Sequence, residues 1–319
     1  MKYNCAVIGA GQWGTAVAHL LAKNNQKVYL YTHEQHVVDE INRDRTNSSY
    51  LKEISLPLEV TAGSDISPLS DIPLIFIAIP VPYLRTVLMT FVSVISTQDI
   101  VILSKGVEVT TGLLPSQIIE DVTQATSVSV MMGPNLAKEL VLCSPMGTVV
   151  ASKSIATQKR IASCIQNNHV VVECTDDVIG LQLCGAFKNV IGIAVGMMSV
   201  LSEYKNTQSL LMTYGMKELA MLVTAYGGAC ETVYSLAGLG DMLLTPYARN
   251  AQFGRLRALG VCQADALLQF SSPPEGINTS TVIRELCERK SIHLSIAEIV
   301  CQIMHEDADP ALLLTVFSS

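Results

Sequence analysis

A glycine-rich turn that joins a strand-like stretch to a helix-like stretch constrains the fold of this chain more than any other feature. Residues 5–8 (CAVI) are a short apolar run typical of a strand, and Gly9, Gly11 and Gly14 follow in the pattern G-x-G-x-x-G. Beyond Gly14 the apolar residues recur at helical intervals. This strand, turn and helix context predicts a dinucleotide-binding site, whereas the pattern alone would be weak. A purely structural glycine turn is the alternative.

Each glycine of the turn has its own physical task in such a site. Gly9 allows the tight turn, Gly11 lets the backbone approach a pyrophosphate, and Gly14 lets the helix pack closely on the strand. The helix then presents free N–H groups and the positive end of its dipole to the phosphates.

The rest of the chain divides into an alternating half and a helical half. Strand-like runs alternate with helical patterns as far as Glu173, the strands being expected at 5–8, 28–31, 58–61, 74–79, 100–104, 128–132, 148–151 and 170–173. Such alternation predicts an N-terminal doubly wound, Rossmann-like and mostly parallel sheet. From Asp177 onward the periodicity is helical. We therefore predict an α/β protein with a dinucleotide-binding domain at residues 1–176 and an all-helical substrate domain at 177–319.

Composition and charge exclude several classes of function. The net charge of −7 and the absence of basic runs argue against nucleic acid as a partner. The apolar stretches at 74–82 and 190–201 are shorter than the ~18 residues that a membrane span requires. Nine scattered cysteines without a C-x-x-C pair predict neither disulfides nor a metal site, and they favour a reducing cytoplasm. Because 49% of the residues are hydrophobic and only 15% are charged, we also expect a homodimer.

Polar residues stand out at two strand ends and inside one apolar helix. Lys105 follows the strand at 100–104, where a solvated loop lysine is the alternative to a functional one. Asn135 follows the strand at 128–132, where it is expected to cap a helix. Lys188 lies in an apolar helix with no acidic residue within one turn. It is either a desolvated amine suited to proton transfer or a lysine that reaches the surface.

Two further stretches carry polar groups after that helix. Asp241 ends the sequence AGLGD in an apolar setting and therefore needs a partner. Arg249 and Asn250 offer donors for a phosphate or a carboxylate, with a surface salt bridge as the alternative. Residues 274–279 (PEGINT) are most simply a loop that ends in a helix cap.

Taken together, these segments resemble the bacterial-type NAD(P)-dependent glycerol-3-phosphate dehydrogenase family. The matching stretches include GAGQWGTAVAHLLAKN, SKGVEVTTG, GPNLAKE, the segment around CGAFKNV, AGLGDMLLT, ARN and EGINT. They extend from Tyr3 to about Met304. A lysine in each of two separate motifs together with AGLGD is far more specific than the glycine pattern. The resemblance implies reversible hydride transfer between sn-glycerol 3-phosphate and dihydroxyacetone phosphate, which supplies glycerophospholipid synthesis.

The resemblance also implies a role for individual residues. Lys188 would transfer the proton with help from Asp241, and Lys105 would lie near both substrate and cofactor. The substrate would further be bound by Gly133, Asn135, Ala248, Arg249 and Asn250. The dinucleotide would be contacted by the glycine turn with Gln12 and Trp13, and by His33, Lys105, Ala137, Arg249 and Glu275.

Cofactor choice and some departures from the family pattern leave alternatives open. The second strand ends in His33 rather than in an acidic residue, so both cofactors are expected, with NADP modestly favoured over NAD. Relatives carry Ser or Thr at 135, an arginine at 251 and valines at 273–274, where this chain has asparagine, alanine and two prolines. Two alternatives therefore remain beside the favoured function. One is a dehydrogenase of another small hydroxy acid, and the other is a catalytically weak nucleotide-binding regulator.

Overall fold

The computed structural model describes residues 2–95, 97–123, 125, 127–270 and 272–317. They form two compact units, the first made of residues 1–105 and 115–178 and the second of residues 106–114 and 179–319. The sequence-based division at 176/177 placed the segment 106–114 in the first domain, which the structure corrects. Val107 and Leu114 bury their side chains in the core of the second unit, so the segment belongs there.

A single eight-stranded sheet forms the centre of the first unit. Its strands lie in the order β3-β2-β1-β4-β5-β6-β7-β8, and all neighbours are parallel except β6 and β7. The predicted doubly wound, mostly parallel sheet is confirmed. The strands are β1 (Cys5–Ile8), β2 (Val28–Tyr31), β3 (Val60–Gly63), β4 (Leu74–Ile77), β5 (Asp99–Ile102), β6 (Val128–Met132), β7 (Met146–Ala151) and β8 (Val170–Thr175).

Helices of the first unit pack on this sheet. Strands β1 and β4 are therefore buried at every position, as strands covered on both faces must be. The strand order reverses between β1 and β4, and ligands of open parallel sheets bind beyond the carboxyl ends of the strands at such a point. The helices are α1 (Gln12–Lys23), α2 (Gln35–Asp44), α3 (Val81–Phe91), α4 (Pro115–Val122), α5 (Ala137–Val141) and α6 (Ile155–Ile165).

The second unit is helical throughout its described part, as predicted. Its α-helices are α7 (Val178–Leu201), α8 (Lys205–Ala225), α9 (Asp241–Leu243), α10 (Arg249–Ala258), α11 (Gln263–Leu267), α12 (Glu275–Lys290) and α13 (Ser295–His305). Short 3₁₀ turns at 230–234, 245–247 and 310–317 and a π-helical turn at 236–240 complete it.

Helix α7 is the core of this unit. It has 24 residues and is long and apolar enough to cross a membrane, so the sequence-based argument that every apolar stretch is too short was wrong for this helix. In its most apolar window, however, 89% of the residues are buried inside the protein. Its apolar character is therefore that of a core helix, and it does not indicate a membrane span.

Helices α7 and α10 approach each other closely enough to bring their backbones into contact. A methyl group on Gly196 of α7 would overlap the carbonyl oxygen of Ala251, and one on Gly254 of α10 would overlap that of Ile193. Ala251, where the family resemblance implies an arginine, is completely buried in this contact. Helix packing therefore explains the small side chain at 251.

Candidate active site

The glycine turn lies where the strand order reverses. Gly9 has a φ of +106°, and a methyl group on it would lie 2.8 Å from the carbonyl oxygen of Ala78, just beyond β4. A methyl group on Gly14 would overlap the carbonyl oxygen of Gly9. Both positions thus require glycine for the reasons that the sequence suggested: one for backbone conformation and the other for close packing of α1 on β1.

The start of α1 is open, in contrast to Gly9 and Gly14. Gly11 is its N-cap, and a methyl group there would meet no atom within 4 Å. Gln12 and Trp13 are the first helical residues, with Gln12 exposed and Trp13 packed on the core of the first unit. The first N–H groups of an α-helix have no acceptor within the helix. The turn therefore fits the diphosphate of a dinucleotide.

Residues after β2 lie where the adenosine ribose is expected. His33 is exposed, and the side chain of Glu34 accepts a hydrogen bond of 2.8 Å from the hydroxyl of Tyr50. The Nε2 atom of His36 lies 4.0 Å from the same carboxylate. The structure thus places His33 on the surface next to a tethered acidic side chain.

The carboxyl ends of β5 and β6 bring Lys105 and Gly133 together. The Nζ atom of Lys105 donates a hydrogen bond of 3.1 Å to the carbonyl oxygen of Gly133. A methyl group on Gly133 would lie 2.9 Å from the carbonyl oxygen of Gly147 and from the Cα atom of Thr148, so no larger residue fits there. Lys105 lies in the loop that follows β5 and is partly buried, and its amine is bound to the carbonyl oxygen of Gly133.

Asn135 does not have the role in helix capping that its sequence position suggested. Helix α5 begins at Ala137 with Leu136 as its N-cap, and no side chain caps it. Instead, both polar atoms of the Asn135 side chain are buried without a hydrogen-bond partner among the described residues. Buried amides are rarely left unpaired, and these two atoms are available to a polar ligand. Ala137 is 9% exposed and packs in the core of the first unit.

Lys188 forms an ion pair with Asp241 inside the second unit. The Lys188 side chain is 15% exposed and the Asp241 side chain only 1%. Lys188 therefore does not extend into solvent, and Asp241 has the partner that its apolar surroundings require. A carboxylate beside an amine favours the charged form of the amine, whereas burial favours the neutral form.

A π-helical turn brings Asp241 to this place. Residues 236–240 (LAGLG) form the turn, and Asp241 follows it directly. A methyl group on Gly238 would overlap the carbonyl oxygen of Val233, so the turn can pack on residues 230–234 only with glycine there. Single π turns are frequent at functional sites.

Asn189, which was not among the residues expected from the sequence, joins two of the predicted binding residues. Its Nδ2 atom donates to the carboxylate of Glu275 at 3.0 Å, and its Oδ1 atom accepts from the Nδ2 atom of Asn250 at 3.0 Å. The Oδ1 atom of Asn250 in turn accepts from the backbone N–H of Gly276 at 2.9 Å. The sequence does carry a signal for Asn189, because it is a second polar residue beside Lys188 in an apolar helix. Adjacent helical residues point in different directions, so each of the two needs its own partner.

Arg249 and Asn250 are the first two residues of α10, with Ala248 as its N-cap. Arg249 is exposed, and its Nη1 atom donates a hydrogen bond of 2.8 Å to the hydroxyl of Ser272. Asn250 is buried in the network described above. The beginning of a helix with an arginine at its first position is suited to bind a phosphate group.

The interpretation of residues 274–279 as a loop was wrong. Helix α12 begins at Glu275, so Gly276 to Thr279 are already helical. Gly276 lies at a crowded place, where a methyl group would overlap the carbonyl oxygen of Asn189 and lie 2.8 Å from the Oδ1 atom of Asn250. Gly276 therefore lets the start of α12 approach α7 and α10.

Comparison with known proteins gives the family. Two family models match, the N-terminus of NAD-dependent glycerol-3-phosphate dehydrogenase at residues 4–158 and its C-terminus at residues 177–315. This chain belongs to the NAD-dependent glycerol-3-phosphate dehydrogenase family. It is therefore an NAD(P)-dependent oxidoreductase acting on a CH–OH group, as the resemblance predicted.

Individual relatives agree with this assignment over nearly the full length. The chain is 32% identical to glycerol-3-phosphate dehydrogenase [NAD(P)+] of Halalkalibacterium halodurans, with 96% of this chain and 91% of that protein covered. It is 33% identical to the enzyme of the same name from Acinetobacter baylyi, with 95% and 86% covered. The crystal structure of glycerol-3-phosphate dehydrogenase from Coxiella burnetii superimposes with a TM-score of 0.93 at 30% identity, covering 100% of this chain and 99% of that one.

Proposed function

We propose that this protein catalyses reversible hydride transfer between sn-glycerol 3-phosphate and dihydroxyacetone phosphate. The observation that carries the proposal is the Lys188–Asp241 pair, a largely buried amine held by a carboxylate in an otherwise apolar helix environment. Reduction of a ketone needs a group that polarises the carbonyl and then protonates its oxygen. Family membership supports the choice of substrates.

Lys188 is the proton donor and acceptor in this mechanism. When bound, the nicotinamide of NAD(P)H supplies the hydride. In the direction of reduction the Nζ atom of Lys188 gives a proton to the C2 oxygen of the ketone, and in the direction of oxidation the neutral amine takes it back. Asp241 orients the Nζ atom and stabilises its charged form.

The phosphate of the substrate is bound at the start of α10. Arg249 supplies a guanidinium, which forms strong hydrogen bonds with phosphate oxygens, and the first N–H groups of the helix supply further donors. Asn250 is held in place through Asn189, and Asn189 also contacts Glu275, the residue assigned to the cofactor. For Lys105, Gly133 and Asn135 of the first unit we propose the contacts with substrate that the family resemblance implies; the Lys105 amine and the Gly133 carbonyl are already hydrogen-bonded to each other.

The dinucleotide is bound by the glycine turn of the first unit, with Gln12 and Trp13 at the start of α1. We propose that both NAD and NADP are used, with NADP modestly favoured. An exposed imidazole at His33 can contact a 2′-phosphate, and the neighbouring Glu34 is tethered by Tyr50. His33→Ala should lower kcat/KM for NADPH and leave that for NADH nearly unchanged. A wild-type preference for NADH would contradict this assignment.

A spectrophotometric assay separates the proposed reaction from its alternatives. Purified protein is mixed with NADH or NADPH and dihydroxyacetone phosphate, and the loss of absorbance of the reduced cofactor is followed. Rapid oxidation supports the proposal. Oxidation with other small keto acids but not with dihydroxyacetone phosphate would favour a different hydroxy-acid dehydrogenase. Binding of the dinucleotide without turnover of any ketone would favour a nucleotide-binding regulator.

The setting of the enzyme is also proposed. All nine cysteines lie in the described part of the chain and are free thiols, which supports a reducing cytoplasm, where the product would feed glycerophospholipid synthesis. Exposed apolar side chains on and before α8, namely Tyr204, Leu210 and Met221, support a homodimer. Light scattering at micromolar concentration should give twice the mass of the 34.4 kDa chain, and a monomer mass would contradict the dimer.

A further inference from the structure

A buried asparagine outside the glycine turn holds one carbonyl group of that turn. The Nδ2 atom of Asn47 donates hydrogen bonds of 2.9 Å to the carbonyl oxygen of Ala10 and to the hydroxyl of Thr15. The Thr15 hydroxyl itself donates to the same carbonyl oxygen at 3.0 Å. Asn47 is 1% exposed and Thr15 is completely buried. We name these three groups, the Asn47 amide, the Thr15 hydroxyl and the Ala10 carbonyl, the carbonyl clamp.

The segment that carries Asn47 is itself fixed. Arg45 lies just after α2 with a φ of +60°, and its guanidinium donates to the carbonyl oxygens of Leu56 at 3.3 Å and Val60 at 2.9 Å. The backbone N–H of Leu51 donates to the carbonyl oxygen of Asn47 at 2.8 Å, and the Leu51 side chain is buried in the core of the first unit. Asn47 is therefore presented to the glycine turn by an ordered loop.

The carbonyl of Ala10 and the N–H of Gly11 belong to one planar peptide group. In a trans peptide these two bonds point in opposite directions, so fixing the carbonyl also fixes the direction of the N–H. The carbonyl clamp draws the Ala10 oxygen into the core, and the Gly11 N–H is thereby directed outward at the open start of α1. We propose that Asn47 is a positioning residue of the dinucleotide site, which directs the Gly11 N–H toward the diphosphate. This inference rests on the proposed binding of the diphosphate at the glycine turn.

The Asn47 amide is held in one orientation at a cost. Its Oδ1 atom is buried and has no hydrogen-bond partner among the described residues. Exchanging the oxygen and nitrogen would bring Oδ1 against the carbonyl oxygen of Ala10, so that orientation is excluded. An unpaired buried acceptor lowers stability, and an apolar side chain of similar shape would remove that penalty. Asn47→Leu loses the two hydrogen bonds of Nδ2 but also removes this unpaired acceptor, so its stability should be only slightly lower than that of the wild type.

The experiment measures dinucleotide affinity in variants of the carbonyl clamp. Asn47→Leu and Thr15→Val each remove a donor or acceptor of the clamp, whereas Thr15→Ser keeps the hydroxyl. NADH, NADPH and ADP-ribose are titrated, and binding is read from the fluorescence of Trp13, the single tryptophan of the chain. We expect Kd to rise about tenfold in Asn47→Leu and in Thr15→Val. A change of this size corresponds to the free energy of about one hydrogen bond between the misdirected Gly11 N–H and the diphosphate. The ratio of variant Kd to wild-type Kd should be the same for the three ligands, because all three contain the diphosphate. Thr15→Ser should remain within about twofold of the wild type.

Asn42→Ala is the matched control. The Asn42 side chain also makes two hydrogen bonds with backbone groups of the first unit, but both are with Ala62 and neither involves the glycine turn. It should lower Tm and leave every Kd unchanged. The proposal is overturned if Asn47→Leu and Thr15→Val bind the three ligands as the wild type does, whatever their Tm. It is also overturned if only NADPH binding weakens, because the diphosphate is common to all three. A wild-type protein that binds NADH but reduces no phosphorylated ketone would contradict the proposed reaction and leave this inference standing.

Discussion

Replacing Asp241 by asparagine should show how much the buried Lys188–Asp241 ion pair contributes to the free energy of unfolding. Asp241 is 1% exposed and Lys188 15%, so the substitution leaves an amine with little access to water and without its carboxylate. Breaking a fully buried pair costs about 3–5 kcal/mol, and since Lys188 keeps some contact with solvent we expect about 3 kcal/mol. At about 2–4 °C per kcal/mol for a unit of this size, Tm should fall by about 6–12 °C.

Activity should change in the same variant in a way that stability alone does not explain. Without the carboxylate the charged form of Lys188 is less favoured, so the pH range of ketone reduction should move to lower pH. The double variant Lys188→Met/Asp241→Leu should recover most of the lost stability, because apolar residues replace a buried pair at little cost, while staying inactive.

The assays are thermal unfolding followed by fluorescence and initial rates of NADPH oxidation across pH 5 to 9. Two results would contradict a stabilising Lys188–Asp241 pair. One is an Asp241→Asn protein with wild-type Tm and an unshifted pH profile, which would mean that the pair is not coupled in solution. The other is a double variant even less stable than Asp241→Asn, which would mean that loss of the carboxylate beside the buried amine is not the source of the instability.

Three further predictions concern other parts of the second unit. Arg249→Ala should raise KM for dihydroxyacetone phosphate about 10- to 100-fold, because a charge-assisted hydrogen bond is lost, and Arg249→Lys should have a smaller effect. An unchanged KM in Arg249→Ala would rule out a role of Arg249 in phosphate binding. Gly196→Ala should destabilise the protein by about 1–3 kcal/mol, because the added methyl overlaps the backbone of Ala251, and denaturant unfolding with wild-type stability would contradict the α7–α10 contact. Burial raises the pKa of the Glu218 carboxyl from its usual 4.5 to about 7, although it accepts hydrogen bonds from the N–H groups of Ile296 and Ala297. The folded protein thus holds a proton that the unfolded chain loses above pH 4.5. About 3 kcal/mol of stability should be lost as pH rises from 4.5 through 7, and a Glu218→Gln protein with the same pH dependence would exclude this source.

Local features of the fold were readable from the sequence because they depend on neighbours in the chain. The glycine turn, β1 and α1 follow from residues within about 20 positions of one another, and buried strands such as β4 show as continuous apolar runs. The third strand was expected at 58–61 but spans Val60–Gly63, because Leu58 is exposed and does not contribute to the sheet. Apolar character alone did not reveal that exposure.

The contacts that build the candidate site could not be read in the same way. Lys188 and Asp241 are 53 positions apart, and Asn189 lies 61 positions from Asn250 and 86 from Glu275. Only the packing of α7, α10 and α12 brings Asn189, Asn250 and Glu275 together, and the π-helical turn at 236–240 brings Asp241 to Lys188. The glycines of these segments indicate close approach in the sequence but do not identify the partner. The sequence also did not reveal where residues 106–114 belong. Their position in the chain suggested the first domain, but the buried side chain of Val107 lies in the core of the second unit.

In the proposed reaction the amine of Lys188 transfers the proton. The most direct test is the single-turnover rate of NADPH oxidation by dihydroxyacetone phosphate in Lys188→Met, with NADPH binding measured on the same sample. We expect a rate lower by about 10²–10⁴-fold, with the Kd of NADPH unchanged. A rate within a few-fold of the wild type would contradict it.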